Sequence, residues 1–174
     1  MLIYPIKSKK FVLRTLRRSD ASNIAKNAHD KEIYRNTLSI PYPYKLKDAE
    51  IWIEDTLKKE KKKNREGMTL VVEIEGEAAG VISLNKIKGH SAEIGYWLGR
   101  KYWGRGIMTK AVKIVTKIGF SEFKLRRIFG HVLAFNDGSA KVLRKSGYKL
   151  EGTLRKRFKK NDKILDAYLF AKVR

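Results

Sequence analysis

The run Gly99-Arg-Lys-Tyr-Trp-Gly-Arg-Gly106 is the segment whose residue types and spacing point most directly to chemistry. It follows a strand-like stretch, Ala92-Glu-Ile-Gly-Tyr-Trp-Leu98, and precedes a helical one in which Met108, Ala111, Val112, Val115 and Ile118 share a face. A glycine loop between a strand and a helix presents unpaired backbone N–H groups at the positive end of the helix dipole. That is an anion site, above all a phosphate site. Two nucleotide-binding patterns come close and fail on particular residues. In Gly99-x4-Gly104-Arg105-Gly106, Arg105 replaces the Lys of a Walker loop, and Gly106 replaces the Ser or Thr that would hold magnesium. Gly104-x-Gly106 begins a dinucleotide fingerprint, but Thr109 occupies the place of its third glycine. Taken alone, the loop is also explained as a tight turn that only needs glycine. The absence of Cys excludes a thiol nucleophile, a thiolate metal site and a disulfide scaffold. The three His, at 29, 90 and 131, form no i, i+4 metal pair, and no metal is expected.

The elements that must position this loop read as follows. Phe11 to Leu16 is a first strand, and Ser19-Asp20 caps a helix over Ala21 to Ala28. Leu38 to Tyr44, with Pro41 and Pro43 between aromatics, is a loop. Ala49, Trp52, Ile53, Thr56 and Leu57 form one helical face from Lys47 onward, ending in the cationic run Lys58 to Lys63. Met68 to Glu75 and Ala78 to Ile87 are strands joined at Gly76-Glu77. After the glycine loop and its helix come a strand over Leu125 to Leu133 and a short helix over Asn136 to Lys145. A closing hairpin, Tyr148 to Phe158 and Ile164 to Val173, turns over Asn161-Asp162. Mixed strands with about four helices make an α/β or α+β sandwich.

Length and composition set the bounds. A chain of 174 residues is expected to form a single domain, residues 1–174, with a core of its own. Forty Lys plus Arg against 18 Asp plus Glu leave a formal net charge of +22. Such an excess suits a partner rich in negative charge, such as RNA or a ribosome, or else is a solvated Lys-rich surface. No apolar run is long enough to span a membrane, and Met1 to Lys10 reads as no secretion leader, so a cytoplasmic protein is expected. The absence of Cys and Gln, with abundant Lys and Glu, is the bias of thermophile proteins.

In order and spacing these segments resemble the GNAT acyltransferase superfamily, and within it the ribosomal-protein N-acetyltransferase (RimJ/RimL-like) branch. The resemblance spans nearly the whole chain. It rests on Leu13-Arg-Thr-Leu16 with Asp20-Ala21, Asp48-Ala49-x-x-Trp52, Glu93-Ile-Gly-Tyr-Trp-Leu98, Tyr102-Trp-Gly-Arg-Gly106 with Thr109, Asn136-x-x-Ser139, Gly147-Tyr148 and Asp166. The family's acyl-CoA loop is Arg/Gln-x-x-Gly-x-Gly/Ala; here Lys101 takes the first place, keeping the charge and losing the planar fork. The resemblance implies a mixed, mostly antiparallel sheet with splayed middle strands, flanked by about four helices. It also implies acetyl-CoA as cofactor. The amides of Lys101, Tyr102, Trp103, Gly104, Arg105, Gly106 and Ile107 would cradle the CoA pyrophosphate. The pantetheine arm would lie between the strand 93–98 and the strand 125–133, paired with backbone near Trp97 and Leu98. Lys141 and Arg144 would lie near the 3′-phosphate; otherwise they are solvated charges on a short helix.

The same resemblance implies direct attack of an amine on the thioester, with Glu93 as base. Its other reading is a strand carboxylate paired with a neighbouring Arg or Lys. Ser139 would protonate the leaving thiolate, in place of the Tyr that many members carry where this chain has Leu143. Asn136 would bind pantetheine or simply cap its helix. Phe158 stands where some RimJ/RimL-like members have a glutamate, which leaves the deprotonation route open. Holding an α-amine of pKa ~8 neutral at pH 7 costs roughly 1.4 kcal/mol, against roughly 4.6 kcal/mol for a lysine. A protein N-terminal α-amine, as on a ribosomal protein, is therefore the expected acceptor. Tyr42 and Tyr44 on one side and Arg155 and Arg157 on the other are expected to line its groove and select negative charge. The alternatives are a small-molecule amine as acceptor, or a catalytically silent RNA- or ribosome-binding module that stacks bases on Tyr102, Trp103 and Phe158. The protein is expected to act as a monomer or homodimer.

Overall fold

The computed structural model describes residues 4–61 and 66–174, and it is built on one sheet of eight strands. In chain order the strands are β1 (Ile6–Lys7), β2 (Val12–Thr15), β3 (Met68–Ile74), β4 (Glu77–Lys88), β5 (Ser91–Leu98), β6 (Arg127–Leu133), β7 (Lys149–Lys160) and β8 (Lys163–Val173). Their order in space is β1-β2-β3-β4-β5-β6-β8-β7. The β5–β6 pair is parallel and every other pair is antiparallel. The helices are α1 (Ala21–Ala28), α2 (Lys31–Asn36), α3 (Leu46–Glu60), α4 (Ile107–Ser121) and α5 (Asp137–Lys145).

Alternation along the central strands builds a core on each face. Leu70 and Val72 of β3, with Ile82 and Leu84 of β4, pack with α4 residues Ala111, Val112, Val115 and Ile118. Val71 and Val81, pointing the other way, pack with Ile24 and Ala25 of α1 and Ala49 and Ile53 of α3. The centre of β3, Leu70-Val71-Val72, is buried on both faces and reads as a short apolar run, flanked by half-buried Thr69 and Glu73. Each fully buried aliphatic side chain on α4 contributes ~1.5–3 kcal/mol.

Most expected elements are present, with local corrections. The first hairpin turns at Glu75 and Gly76, both at positive φ (51° and 76°), rather than at Gly76-Glu77. Two left-handed residues match the strand twist of a two-residue turn, and Glu77 becomes the first residue of β4. Asp20 precedes α1 without capping it through its side chain. Instead its carboxylate accepts the Arg17 N–H at 2.8 Å and both guanidinium amines of buried Arg14, at 2.7 and 2.9 Å. The periodicity missed α2, a single short turn capped by Asp30 at the amides of Glu32 and Ile33 (2.7 and 3.2 Å), and it missed two-residue β1. The end of the expected cationic run, residues 62–63, lies outside the described residues. Among the described residues no helix is long and apolar enough to cross a membrane.

The feature that positions a site is the divergence of β5 from β6. They pair only at Ser91↔Arg127, Ala92↔Ile128 and Glu93↔Phe129. Beyond that, β5 follows β4 to Leu98 while β6 follows β8 to Leu133. A wedge opens through the middle of the sheet.

Candidate active site

The wedge is part of a cleft of about 1670 Å³ that runs from the N-terminus of α4, past β5 and β6, to α3 and the proline loop. At its α4 end, Gly104 and Gly106 sit at φ +75° and +72°, conformations that favour glycine, and both border open space. The first bond of α4 runs from the Lys110 N–H to the Gly106 carbonyl at 3.1 Å, and no side chain caps the helix. The amides of Ile107, Met108 and Thr109 are therefore left without intrahelical partners. Around them Arg105, Lys110, Lys113, Lys141 and Lys145 line the cleft. A glycine turn, a bare helix N-terminus and five cations fit a polyphosphate group.

The loop is braced from behind by Glu77. Its Oε2 accepts from Lys101 Nζ at 2.7 Å and from the Tyr102 hydroxyl at 2.8 Å; its Oε1 accepts from Asn27 Nδ2 at 3.0 Å. The Lys101 hydrogen bond outweighs desolvation and, with those of Tyr102 and Asn27, holds this carboxyl at about 2. Trp103 lies over the loop and donates its indole N–H to the Leu98 carbonyl at 2.7 Å.

Hydroxyls and titratable groups divide between the two faces of the wedge. On the α4–α5 face, Tyr96 of β5 reaches the Ser139 hydroxyl at 2.8 Å and donates to the Ser139 carbonyl at 3.2 Å. Burial pushes the Tyr96 phenol well up, so it stays protonated. Asn136 caps α5 by accepting the Ser139 N–H at 3.0 Å, and its Nδ2 donates to the Asn36 carbonyl at 3.3 Å. On the opposite face, Glu93 Oε1 lies 2.7 Å from His131 Nδ1, and Oε2 accepts from Lys86 Nζ at 2.8 Å. Burial works to raise the Glu93 carboxyl, and the Lys86 and His131 hydrogen bonds more than offset it, leaving the group below its ordinary range.

The comparisons with known proteins agree with this layout. An acetyltransferase (GNAT) domain model matches residues 10–149. The chain belongs to the GNAT acetyltransferase family. It is 30% identical over 168 residues to an uncharacterized N-acetyltransferase, p20, of Bacillus licheniformis, covering 94% of this chain and 93% of that one. It is 35% identical over 101 residues to a ribosomal-protein-serine acetyltransferase of Escherichia coli, covering 57% and 56% of the two chains. Its fold superposes with a TM-score of 0.86, at 20% identity and over 95% of each chain, on RimL, a ribosomal L7/L12 α-N-protein acetyltransferase, solved in complex with coenzyme A. The chain is thus an acetyl-CoA-dependent GNAT N-acetyltransferase.

Within this acetyltransferase the structure gathers most of the residues singled out by sequence and disperses the rest. Tyr44, Glu93, Trp97, Leu98, Tyr102, Trp103, Gly104, Arg105, Gly106, Ile107, Asn136, Ser139 and Lys141 line the cleft. Lys101 does not, because its ammonium is held by Glu77. The amide cradle is also shorter than expected: the Tyr102 and Trp103 N–H groups close a turn on the Gly99 and Arg100 carbonyls. Arg144 lies over the Phe170 ring at 5.3 Å, away from the cleft. Tyr42 packs at a tilt against His29 and Tyr34, with centroids 5.3 and 6.0 Å away, outside the groove. Arg155 and Arg157 are exposed, because β7 bulges between Leu154 and Phe158. Lys156 there takes φ +52° and donates its N–H to Asp166 at 2.7 Å. The bulge sends both arginines to solvent, so the expected basic wall of the groove is absent from it. Tyr102 is 6% exposed and offers no stacking face to a base.

Sequence reasoning missed His131, Tyr96, Lys86 and Glu77 as site residues. A signal for His131 was present: between Phe129 and Leu133 it is the polar residue at that phase of the strand. Its partner becomes visible only with the β5–β6 register.

Proposed function

We propose that this chain transfers acetyl from acetyl-CoA to the α-amine of a protein N-terminus, without a covalent enzyme intermediate. The observation that carries the reading is the wedge. It opens through the sheet, with a hydroxyl pair on one face, a carboxylate–imidazole pair on the other, and no cysteine in the chain. In this reading the amides of Gly104 to Ile107, with Arg105 and Lys141, hold the CoA phosphates. The thioester arm threads between β5 and β6 past Trp97 and Leu98. The amine forms the new C–N bond, the C–S bond breaks, and the departing sulfur takes its proton from the Ser139 hydroxyl, which Tyr96 supports. Asn136 fixes Ser139 by capping its helix. Glu93 anchors the polar cluster on the acceptor face.

Two further facts support a peptide acceptor: relatives include a ribosomal-protein-serine acetyltransferase, and an α-amine is cheaper to deprotonate than a lysine. A second reading, a small cationic amine, is favoured by one observation. Asp48, Asp55, Glu60 and Glu66 line the acceptor arm of the cleft, where Arg155 and Arg157 do not reach. Incubation with isotope-labelled acetyl-CoA, a panel of peptides with free N-termini and a set of polyamines, read by mass spectrometry, separates the two. Label on the peptide α-amine is expected; label confined to polyamines would transfer the assignment to the second reading.

A further inference from the structure

We infer that His131 is the general base of the acetyl transfer and that Glu93 acts through it as a positioning residue. This rests on the N-acetyltransfer reading above. The β5–β6 ladder ends at Glu93↔Phe129, and His131 lies two residues further along β6, on the same face as Phe129 and at the mouth of the wedge. Its Nδ1 is 2.7 Å from Glu93 Oε1. A carboxylate in that place selects the tautomer with the proton on Nδ1, because a carboxylate only accepts. Nε2 then carries the lone pair, and among the described residues nothing hydrogen-bonds to it. Edge-on contacts from Phe129 (5.7 Å between centroids) and Phe158 (5.5 Å) fix the ring plane. The imidazole side chain is 14% exposed, open to the cleft without being bathed in water.

Glu93 is badly placed to be the base itself. Both its oxygens are taken, one by His131 and one by the Lys86 ammonium, and a paired carboxylate is a weak proton acceptor at neutral pH. A neutral imidazole with an unpaired ring nitrogen is a proton acceptor and suits the task. The charged groups around His131 are Glu93 from β5 and, behind it, Lys86 from β4. From β6 and β7 it meets the neutral rings of Phe129 and Phe158, with Arg157 lying over the far ring at 5.4 Å. The proton balance closes. Before attack the bound ammonium gives a proton to Nε2, which releases it to solvent; as the C–N bond forms, the nitrogen passes its second proton to Nε2. As the C–S bond breaks, the sulfur takes the Ser139 proton. Solvent then carries the His131 proton back to the serine, leaving amide and free thiol.

The test compares wild type with His131→Asn, His131→Gln and Glu93→Gln on the peptide or amine that the labelling experiment identifies. Both His131 variants are expected to lose about a hundredfold in kcat at pH 7, with unchanged thermal stabilisation by CoA. The deficit should shrink above pH 9, where the acceptor amine is neutral unaided. Glu93→Gln should lose less in kcat and move the acidic limb of the rate profile. Nitrogen-15 NMR of the imidazole should show Nδ1–H in wild type and a tautomer mixture in Glu93→Gln, a readout independent of turnover. Folded His131 variants that keep wild-type kcat, or a deficit equal at all pH values, would overturn the inference while leaving acetyl transfer intact. An Nε2–H tautomer in wild type would overturn it as well. Wild-type protein that stabilises with CoA yet labels no amine would instead remove the reading beneath it.

Discussion

At the scale of single residues, the two proton transfers of the proposed mechanism fall on opposite faces of one sheet, and each can be perturbed alone. Ser139 lies on the face of α4 and α5, where its hydroxyl is 2.8 Å from Tyr96. Ser139→Ala should lower kcat by about ten- to a hundredfold and leave CoA affinity within about twofold, since the proposed phosphate site lies at the other end of the cleft. Steady-state kinetics beside calorimetric titration with CoA check this. Tyr96→Phe keeps the ring and loses the phenol; because the Ser139 hydroxyl persists, the expected loss is smaller. A larger effect in Tyr96→Phe than in Ser139→Ala would make the tyrosine the proton donor.

At the scale of elements, Glu77 couples three segments: α1 through Asn27, the start of β4, and the phosphate loop through Lys101 and Tyr102. Its carboxyl is held at about 2, below its ordinary 4.5. A depressed carboxyl stabilises the fold fully above its unfolded pKa, and the gain disappears as pH falls through the folded value. Wild type should therefore exceed Glu77→Gln by about 2 kcal/mol at neutral pH, the worth of hydrogen bonds to a charged group. The difference should close between about pH 4.5 and 2. Urea unfolding across that range measures it, and a constant difference would separate Glu77 from the stability of the loop. The tip of the β7–β8 hairpin is pinned in a similar way. Lys160 Nζ donates to the carbonyls of Tyr34 and Thr37 and lies 3.7 Å from the centroid of the Tyr34 ring. Asn161 donates to the Tyr34 hydroxyl at 2.7 Å. These bonds tie the hairpin to α2 across the acceptor side of the molecule.

At the scale of the whole molecule, the net charge of +22 is distributed unevenly with respect to the cleft. Cations gather at its α4 end, where phosphates are expected, and at the α3 end, among the described residues, carboxylates outnumber the one lining lysine, Lys59. The basic hairpin residues Arg155 and Arg157 lie outside both ends. The double variant Arg155→Glu/Arg157→Glu should leave the KM for a short neutral peptide within about twofold and CoA stabilisation unchanged. A KM raised tenfold would restore these arginines to the acceptor site. Their charge still contributes to the field around the protein, so any rate change with a large anionic acceptor should vanish at about 0.5 M salt.

Local rules were enough to recover the framework. The apolar periodicity of α3 and α4, the apolar centre of β3 at Leu70-Val71-Val72 and the glycines ahead of α4 each depend on neighbours within a few residues. Their order along the chain carried the family resemblance and, with it, the phosphate loop. Partners across the sheet were a different matter. Glu93 and His131 are 38 positions apart, and they meet because β6 lies parallel to β5 for three residues and then leaves it for β8. Lys101 stands in the family's Arg/Gln place of the loop, and nothing nearby in sequence shows that Glu77, freed from its turn by a one-residue shift, takes its charge. The resemblance puts the closing hairpin beside the groove, but the bulge held by Asp166 turns Arg155 and Arg157 to solvent. Which face a side chain occupies follows from local period, but which group it meets follows from register and strand order. Those are set by the packing of the whole sheet between its two cores.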